Sequence, residues 1–194
     1  MAAGASLIRL AVFGQPIGQS LSPRIHRLFA DQFGMAVDYR AIEAGVDTFA
    51  KAVSELARSG GRGCNVTLPL KHEAWKLASE RSDDADRARA VNTLLFRETG
   101  WFGDNTDGGG LVAALEKQER LRLSGLRIAL LGAGGAAGGV LAALLERRPA
   151  GVTIANRTLE KAAALADRHD GLGAIDSCAP AGLQEKGPFD LVVN

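Results

Sequence analysis

Cysteine is scarce in this chain of 194 residues: Cys64 and Cys178 are the only two, and they form neither a CxxC pair nor a dense framework. That excludes a disulfide-stapled secreted scaffold and makes a reducing cytoplasm the simplest setting. Histidine is limited to His26, His72 and His169, without the paired spacing of a zinc site, so no metal is expected. Charge of either sign is not in surplus: 23 Lys and Arg against 22 Asp and Glu leave a formal +1. A nucleic-acid partner therefore has no basic footprint to bind. No apolar run reaches the roughly 18 residues of a membrane span. Residues 1–10 lack a basic stretch followed by an apolar one, so no signal peptide is expected.

What the chain does have is 46% hydrophobic residues, enough for a real core, and 24 glycines concentrated in a few places. Its pattern predicts an α/β fold. Strands are expected over 7–13, 36–42 and 62–66, alternating with helices that start at Ser22-Pro23 (Ser22 as N-cap) and at Thr48. Such a βαβαβ alternation gives a mostly parallel sheet whose ligands sit at the carboxyl ends of the strands. A short helix over 71–78, a charged connection over 79–87 and two strands joined by R-E-T-G complete a first domain, assigned to residues 1–106. The second domain, 107–194, opens on a helix at Asp107. It then runs strand 127–131, a glycine-rich turn, a helix to about Arg147, strand 152–155, helix 159–168, a weak strand 172–175 and a strand 189–194. A parallel strand ending at Asn194 would normally feed a further turn and helix. This second domain is therefore expected to be incomplete and the natural sequence to continue.

The sharpest chemical signal is Gly132-x-Gly134-x-x-Ala137 between a strand and a helix. Gly132 permits the tight turn, Gly134 lets backbone approach a pyrophosphate, and Ala137 allows close helix packing, with the helix N-terminus facing the anion. This is the Rossmann-type dinucleotide turn. At the end of the next strand, NAD sites carry an acidic residue for the ribose 2′-hydroxyl; here stand Asn156, Arg157 and Thr158, with Lys161 one turn later. A guanidinium there suits a 2′-phosphate, so NADP is the expected cofactor.

The first domain shows Asn/Thr tips at strand ends: Asn65 with Thr67, Asn92 with Thr93, and Asn105 with Thr106 and Asp107. Each alone is an ordinary turn or cap. Together on one rim they imply a polar pocket for a small, polyhydroxylated carboxylate, with Ser20 and Ser22 beside a helix N-terminus as carboxylate ligands. Lys71 and Asp107 are the candidate acid/base pair, because a carbonyl reduced by hydride develops negative charge on oxygen and needs a proton. His26 and His72 read as structural or solvated, Cys64 as a small buried residue, and Trp75 and Trp101 as packing residues.

The strings V-F-G-Q-P-I-G-Q-S-L-S-P, G-C-N-V-T-L-P-L-K, A-V-N-T-L, G-D-N-T-D-G-G-G, G-A-G-G-A-A and N-R-T together resemble the shikimate dehydrogenase family. The resemblance implies a cytoplasmic enzyme of aromatic amino acid biosynthesis that reduces 3-dehydroshikimate to shikimate with NADPH. It implies Ser20 and Ser22 on the substrate carboxylate, Asn65, Thr67, Asn92 and Asp107 on the ring hydroxyls, and Lys71 with Asp107 in catalysis. It further implies Gly134, Gly135 and Ala136 along the cofactor phosphates and Asn156, Arg157 and Thr158 at the 2′-phosphate. One departure is Gln19, where the family usually has His. Two alternatives stand beside this reading: a quinate/shikimate dehydrogenase of broader specificity, and a non-catalytic module that binds shikimate or nucleotide. The sequence does not choose between a monomer and a homodimer.

Overall fold

The structure is a computed structural model and describes residues 7–194; the leader reading of residues 1–6 lies outside them. The chain divides into two compact units. One comprises residues up to Ser82 together with Val91–Asp104; the other comprises Asp83–Ala90 and Asn105–Asn194.

The first unit begins with β1 (Ile8–Gly14), α1 (Ser22–Gln32), β2 (Val37–Glu43), α2 (Val46–Arg58) and β3 (Gly61–Val66). Strand β1 lies between β2 and β3 and is parallel to both. Ala11, Val12 and Phe13 are all buried in it, the continuous apolar run of a strand covered on both faces. Helix α2 presents buried Phe49 and Val53, and Phe49 meets Phe13 edge-on at 5.7 Å. The helix start at Ser22 holds to within a residue, but Ser22 is not its cap. Ser22 is the first helical residue after Leu21, and its N–H is taken by Ser20 Oγ at 3.3 Å. Gly34, at φ +63°, follows the helix end in the left-handed conformation that glycine adopts freely.

Next come α3 (Lys71–Leu77), β4 (Glu80–Arg81) and α4 (Asp83–Ala88), then β5 (Thr93–Arg97) and β6 (Gly100–Asp104). The charged segment 79–87 is thus an edge strand and a helix rather than a plain connection. The pair β5–β6 is the expected hairpin, and the sheet order is β2-β1-β3-β5-β6-β4, with β5 antiparallel to both neighbours. Gly63 allows β3 to lie against β5, since a Cβ there would come within 2.4 Å of the Leu94 carbonyl oxygen.

The second unit takes α4 and then α5 (Asp107–Ala113), which runs into a π-helical turn over Ala114–Gln118. It continues through β7 (Arg127–Leu131), α6 (Gly135–Glu146), β8 (Gly151–Ala155), α7 (Leu159–Asp167), β9 (Ile175–Cys178), α8 (Leu183–Lys186) and β10 (Leu191–Val193). Its four strands are all parallel in the order β10-β7-β8-β9. The weak strand expected over 172–175 lies three residues later as β9, while Leu172 packs against the apolar core. That core gathers Ile128, Leu130, Leu141, Leu144, Ile154 and Leu165. The boundary expected at 106/107 falls two residues earlier, and 83–90 joins the second unit. Helix α4 packs on α6, where a Cβ at Gly138 would come within 3.0 Å of the Ala88 carbonyl oxygen.

Candidate active site

In the first unit the proposed substrate residues gather at the carboxyl ends of β1 and β3. Ser20 and Ser22 line a cleft of about 370 Å³ with Val12, Pro16, Ile17, Gln19 and Thr67. Thr67 is fixed by its backbone: its N–H donates to the Phe13 carbonyl at 2.9 Å and its carbonyl accepts from Leu70 N–H at 2.9 Å. Lys71 opens α3 directly after this turn, and its carbonyl accepts the N–H of Val91 at 2.9 Å, which ties the lysine to the approach of β5.

Asn65 faces Thr93 across the β3–β5 ladder, and the two belong to a line of hydrogen bonds. Tyr39 donates its hydroxyl to Asn65 Oδ1 at 2.7 Å, and Asn65 Nδ2 donates to Thr93 Oγ1 at 3.2 Å. Thr93 in turn donates to Asn92 Oδ1 at 2.9 Å. The Asn92 carbonyl closes the set, accepting from Val66 N–H at 2.8 Å and from Asn65 Nδ2 at 3.4 Å. Tyr39, the only tyrosine of the chain, is not among the residues the sequence singles out, and the structure joins it to this line. Its ring stacks on His26, with centroids 4.0 Å apart and planes 9° from parallel. Burial pushes the Tyr39 hydroxyl up to about 12; nearby Cys64 adds to the rise, and a hydrogen bond with Ser22 opposes it. Burial also pushes the Cys64 thiol up to about 12, which fits an inert packing residue.

Of the three polar tips, the third belongs to the second unit. Asn105 is buried, donates from Nδ2 to the Ala90 carbonyl at 2.9 Å and accepts the N–H of Asp107 on Oδ1 at 3.1 Å. It therefore shapes the start of α5, where Asp107 is the first helical residue behind Thr106.

The dinucleotide turn of the second unit is built from backbone. Gly132 sits at φ +103°, a conformation L side chains rarely adopt, and its N–H is held by the Ala155 carbonyl at 2.8 Å. Gly134 precedes α6, and a Cβ added there would meet nothing within 4 Å, so the cradle is open to a ligand. Gly135 and Ala136 are exposed in the first helical turn, where N–H groups lack helical acceptors, whereas Ala137 is buried in the core. Close helix approach falls on the next two residues, Gly138 beside Ala88 and Gly139 beside the Asn105 amide. Past β8, Asn156 Nδ2 donates to the Thr158 carbonyl at 2.8 Å and holds the turn that leaves Arg157 and Thr158 exposed. Lys161 is exposed one turn into α7, and residues 156–158 include no carboxylate. An open glycine cradle at a helix N-terminus, followed by an arginine at the second strand's end, fits a dinucleotide bearing a 2′-phosphate.

Among the described residues no cluster of His, Cys, Asp and Glu could hold a metal ion, and no helix is long and apolar enough to cross a membrane.

Residues 12–94 match the family described as the shikimate dehydrogenase substrate binding domain, and residues 114–178 match shikimate/quinate 5-dehydrogenase. Shikimate dehydrogenase (NADP(+)) of Hahella chejuensis is 47% identical over 184 residues, which cover 95% of this chain and 67% of that protein. The enzyme of the same name from Xanthomonas euvesicatoria pv. vesicatoria is 49% identical over 186 residues, covering 96% and 66% respectively. The crystal structure of shikimate 5-dehydrogenase from Thermus thermophilus in complex with NADP(H) and shikimate superposes with a TM-score of 0.83. It is 35% identical, and the match covers 96% of this chain and 67% of that one. The chain thus spans about two thirds of the length of these relatives.

Proposed function

The chain belongs to the shikimate dehydrogenase family, and on that premise we propose that it serves the NADP-linked interconversion of shikimate and 3-dehydroshikimate. The observation that carries this reading is the line of polar side chains from Tyr39 to Asn92, set at the same strand ends as the cleft of Ser20, Ser22 and Thr67. A rim of hydroxyls and amides suits a ligand that is mostly hydroxyl and carboxylate.

In this reading the Ser20 and Ser22 hydroxyls hold the carboxylate, while Asn65, Thr67 and Asn92 fix the ring hydroxyls. The turn from Gly132 to Ala137, with Asn156, Arg157, Thr158 and Lys161, would hold NADP, whose nicotinamide would supply or take up the hydride. Lys71 gives its Nζ proton to the carbonyl oxygen as that oxygen gains charge, and takes one back in the reverse direction. The Asp107 carboxylate accepts a hydrogen bond from the reacting hydroxyl. A general acid of this kind contributes about 10²–10⁴-fold.

The test is Lys71→Ala in an NADP-linked shikimate assay alongside calorimetric shikimate binding. Turnover is expected to fall roughly 10²–10⁴-fold, with binding weakened about tenfold or less. Unchanged turnover would remove Lys71 from the mechanism. A wild-type protein that neither binds shikimate nor reduces NADP with it would remove the reading itself.

A further inference from the structure

The direction of the hydrogen bonds around Asn65 is set by a group that has no choice. The Asn92 backbone carbonyl can only accept, so the side of the Asn65 amide that faces it must be Nδ2. The two Nδ2 protons are then both engaged, one with that carbonyl and one with Thr93 Oγ1. Oδ1 therefore points to Tyr39, and the phenol is its donor. A hydroxyl raised to about 12 stays protonated at any ordinary pH, so this donor is permanent. Thr93, having accepted from Asn65, sends its own proton to Asn92 Oδ1, which turns the Asn92 amide with its NH2 on the opposite side.

We propose that Tyr39 and Thr93 are positioning residues that fix both asparagine amides, so that Asn65 meets the substrate only as an acceptor, through the second lone pair of Oδ1. The substrate hydroxyl opposite Asn65 must then donate, and a group without a proton finds no partner there. Asn92 is fixed in the same way, its Oδ1 turned toward Thr93 and its NH2 away from it. Tyr39 acts through Asn65 rather than on the substrate, and its ring is held for the task by the stack on His26. The inference rests on the substrate reading above.

The test uses Tyr39→Phe, which keeps the stacked ring and removes only the hydroxyl, and Thr93→Val, which removes the next link. Each is expected to raise KM and Kd for shikimate about tenfold while lowering kcat threefold or less and leaving the Kd for NADP unchanged. Thr93→Ser is expected to restore shikimate affinity to within about twofold. In an Asn65→Ala background, Tyr39→Phe is expected to change shikimate affinity clearly less than it does alone, because the amide it orients is gone and only its hydrogen bond with Ser22 remains. In the unliganded wild type, the Asn65 side-chain amide resonance, assigned by its loss in Asn65→Asp, is expected to shift in Tyr39→Phe. An unchanged KM and Kd in Tyr39→Phe, or an undiminished effect in the Asn65→Ala background, would overturn the proposal. So would an Asn65 resonance indifferent to Tyr39. If the wild type does not bind shikimate but the resonance moves, the substrate reading fails and the fixed amide stands.

Discussion

The two units prepare for their ligands by opposite means. The rim of the first is made of side chains that hold one another: Tyr39 on Asn65, Asn65 on Thr93, Thr93 on Asn92. The turn of the second is made of backbone left bare: Gly132 at positive φ, Gly134 with open space around it, and Gly138 and Gly139 drawn close to Ala88 and Asn105. A ligand recognised hydroxyl by hydroxyl needs donors and acceptors in a fixed order, which only side chains in a network supply. A pyrophosphate is met by N–H groups and a helix dipole, so the useful act there is to remove side chains. Removing a group should therefore damage the first site and adding one should damage the second.

The largest effect is expected where an added group meets backbone. A Cβ at Gly108 would come within 2.7 Å of the Gly139 carbonyl oxygen and 2.8 Å of Ala143 Cβ, so α5 lies on α6 only without a side chain there. Gly108→Val is expected to cost about 3 kcal/mol of overpacking, with the melting midpoint lower by roughly 10 °C in calorimetry. A midpoint within about 2 °C of wild type would mean that this helix pair yields more easily than its geometry implies. Gly132→Ala separates conformation from crowding, since its Cβ would meet nothing within 4 Å. The residual cost of φ +103° is about 1–2 kcal/mol. Titration is expected to show NADP binding weakened about tenfold and shikimate binding unchanged; equal loss of both ligands would contradict the division of labour.

The same contrast explains what can be read in the sequence. The central strands β1, β7 and β8 are legible because burial on both faces writes a continuous apolar run. The glycine turn is legible because its residue types have no other common reason to follow a strand. Strand β4 is not, because Glu80 and Arg81 are two charged residues that pair with Phe102 and Gly103 along the ladder and leave no periodicity. Strand β9 falls three residues beyond its expected place, since Ile175-Asp176-Ser177-Cys178 is less apolar than the Leu172 turn before it. On the rim, Asn65, Thr67 and Asn92 stand out as polar residues at strand ends, but Tyr39 does not, because its hydroxyl matters only across the sheet. Asn105 looks like its fellow tips, and only its bonds to Ala90 and Asp107 reveal a structural role.

The smallest expected effect concerns acid. His169 is fully buried in the second unit; Nδ1 donates to the Leu165 carbonyl at 2.9 Å, while Nε2 has no hydrogen-bond partner. Burial, with Arg168 and Arg87 nearby, holds its pKa below 6.5, against weaker support from the Leu165 carbonyl and Asp84. The unfolded chain therefore takes up a proton first as pH falls. The neutral imidazole costs nothing above pH about 6.5, and stability is lost below it, by at most about 1.4 kcal/mol per pH unit for one proton. Both tryptophans, Trp75 and Trp101, lie in the first unit, so their emission reports that unit while amide exchange in α4 and α7 reports the second. Between about pH 7 and 5, the protection of amides in α4 and α7, taken relative to their intrinsic exchange at each pH, is expected to fall before tryptophan emission changes, and His169→Gln is expected to flatten that dependence. A loss of protection that survives in His169→Gln would place the acid sensitivity elsewhere, His26 being another histidine whose pKa burial lowers.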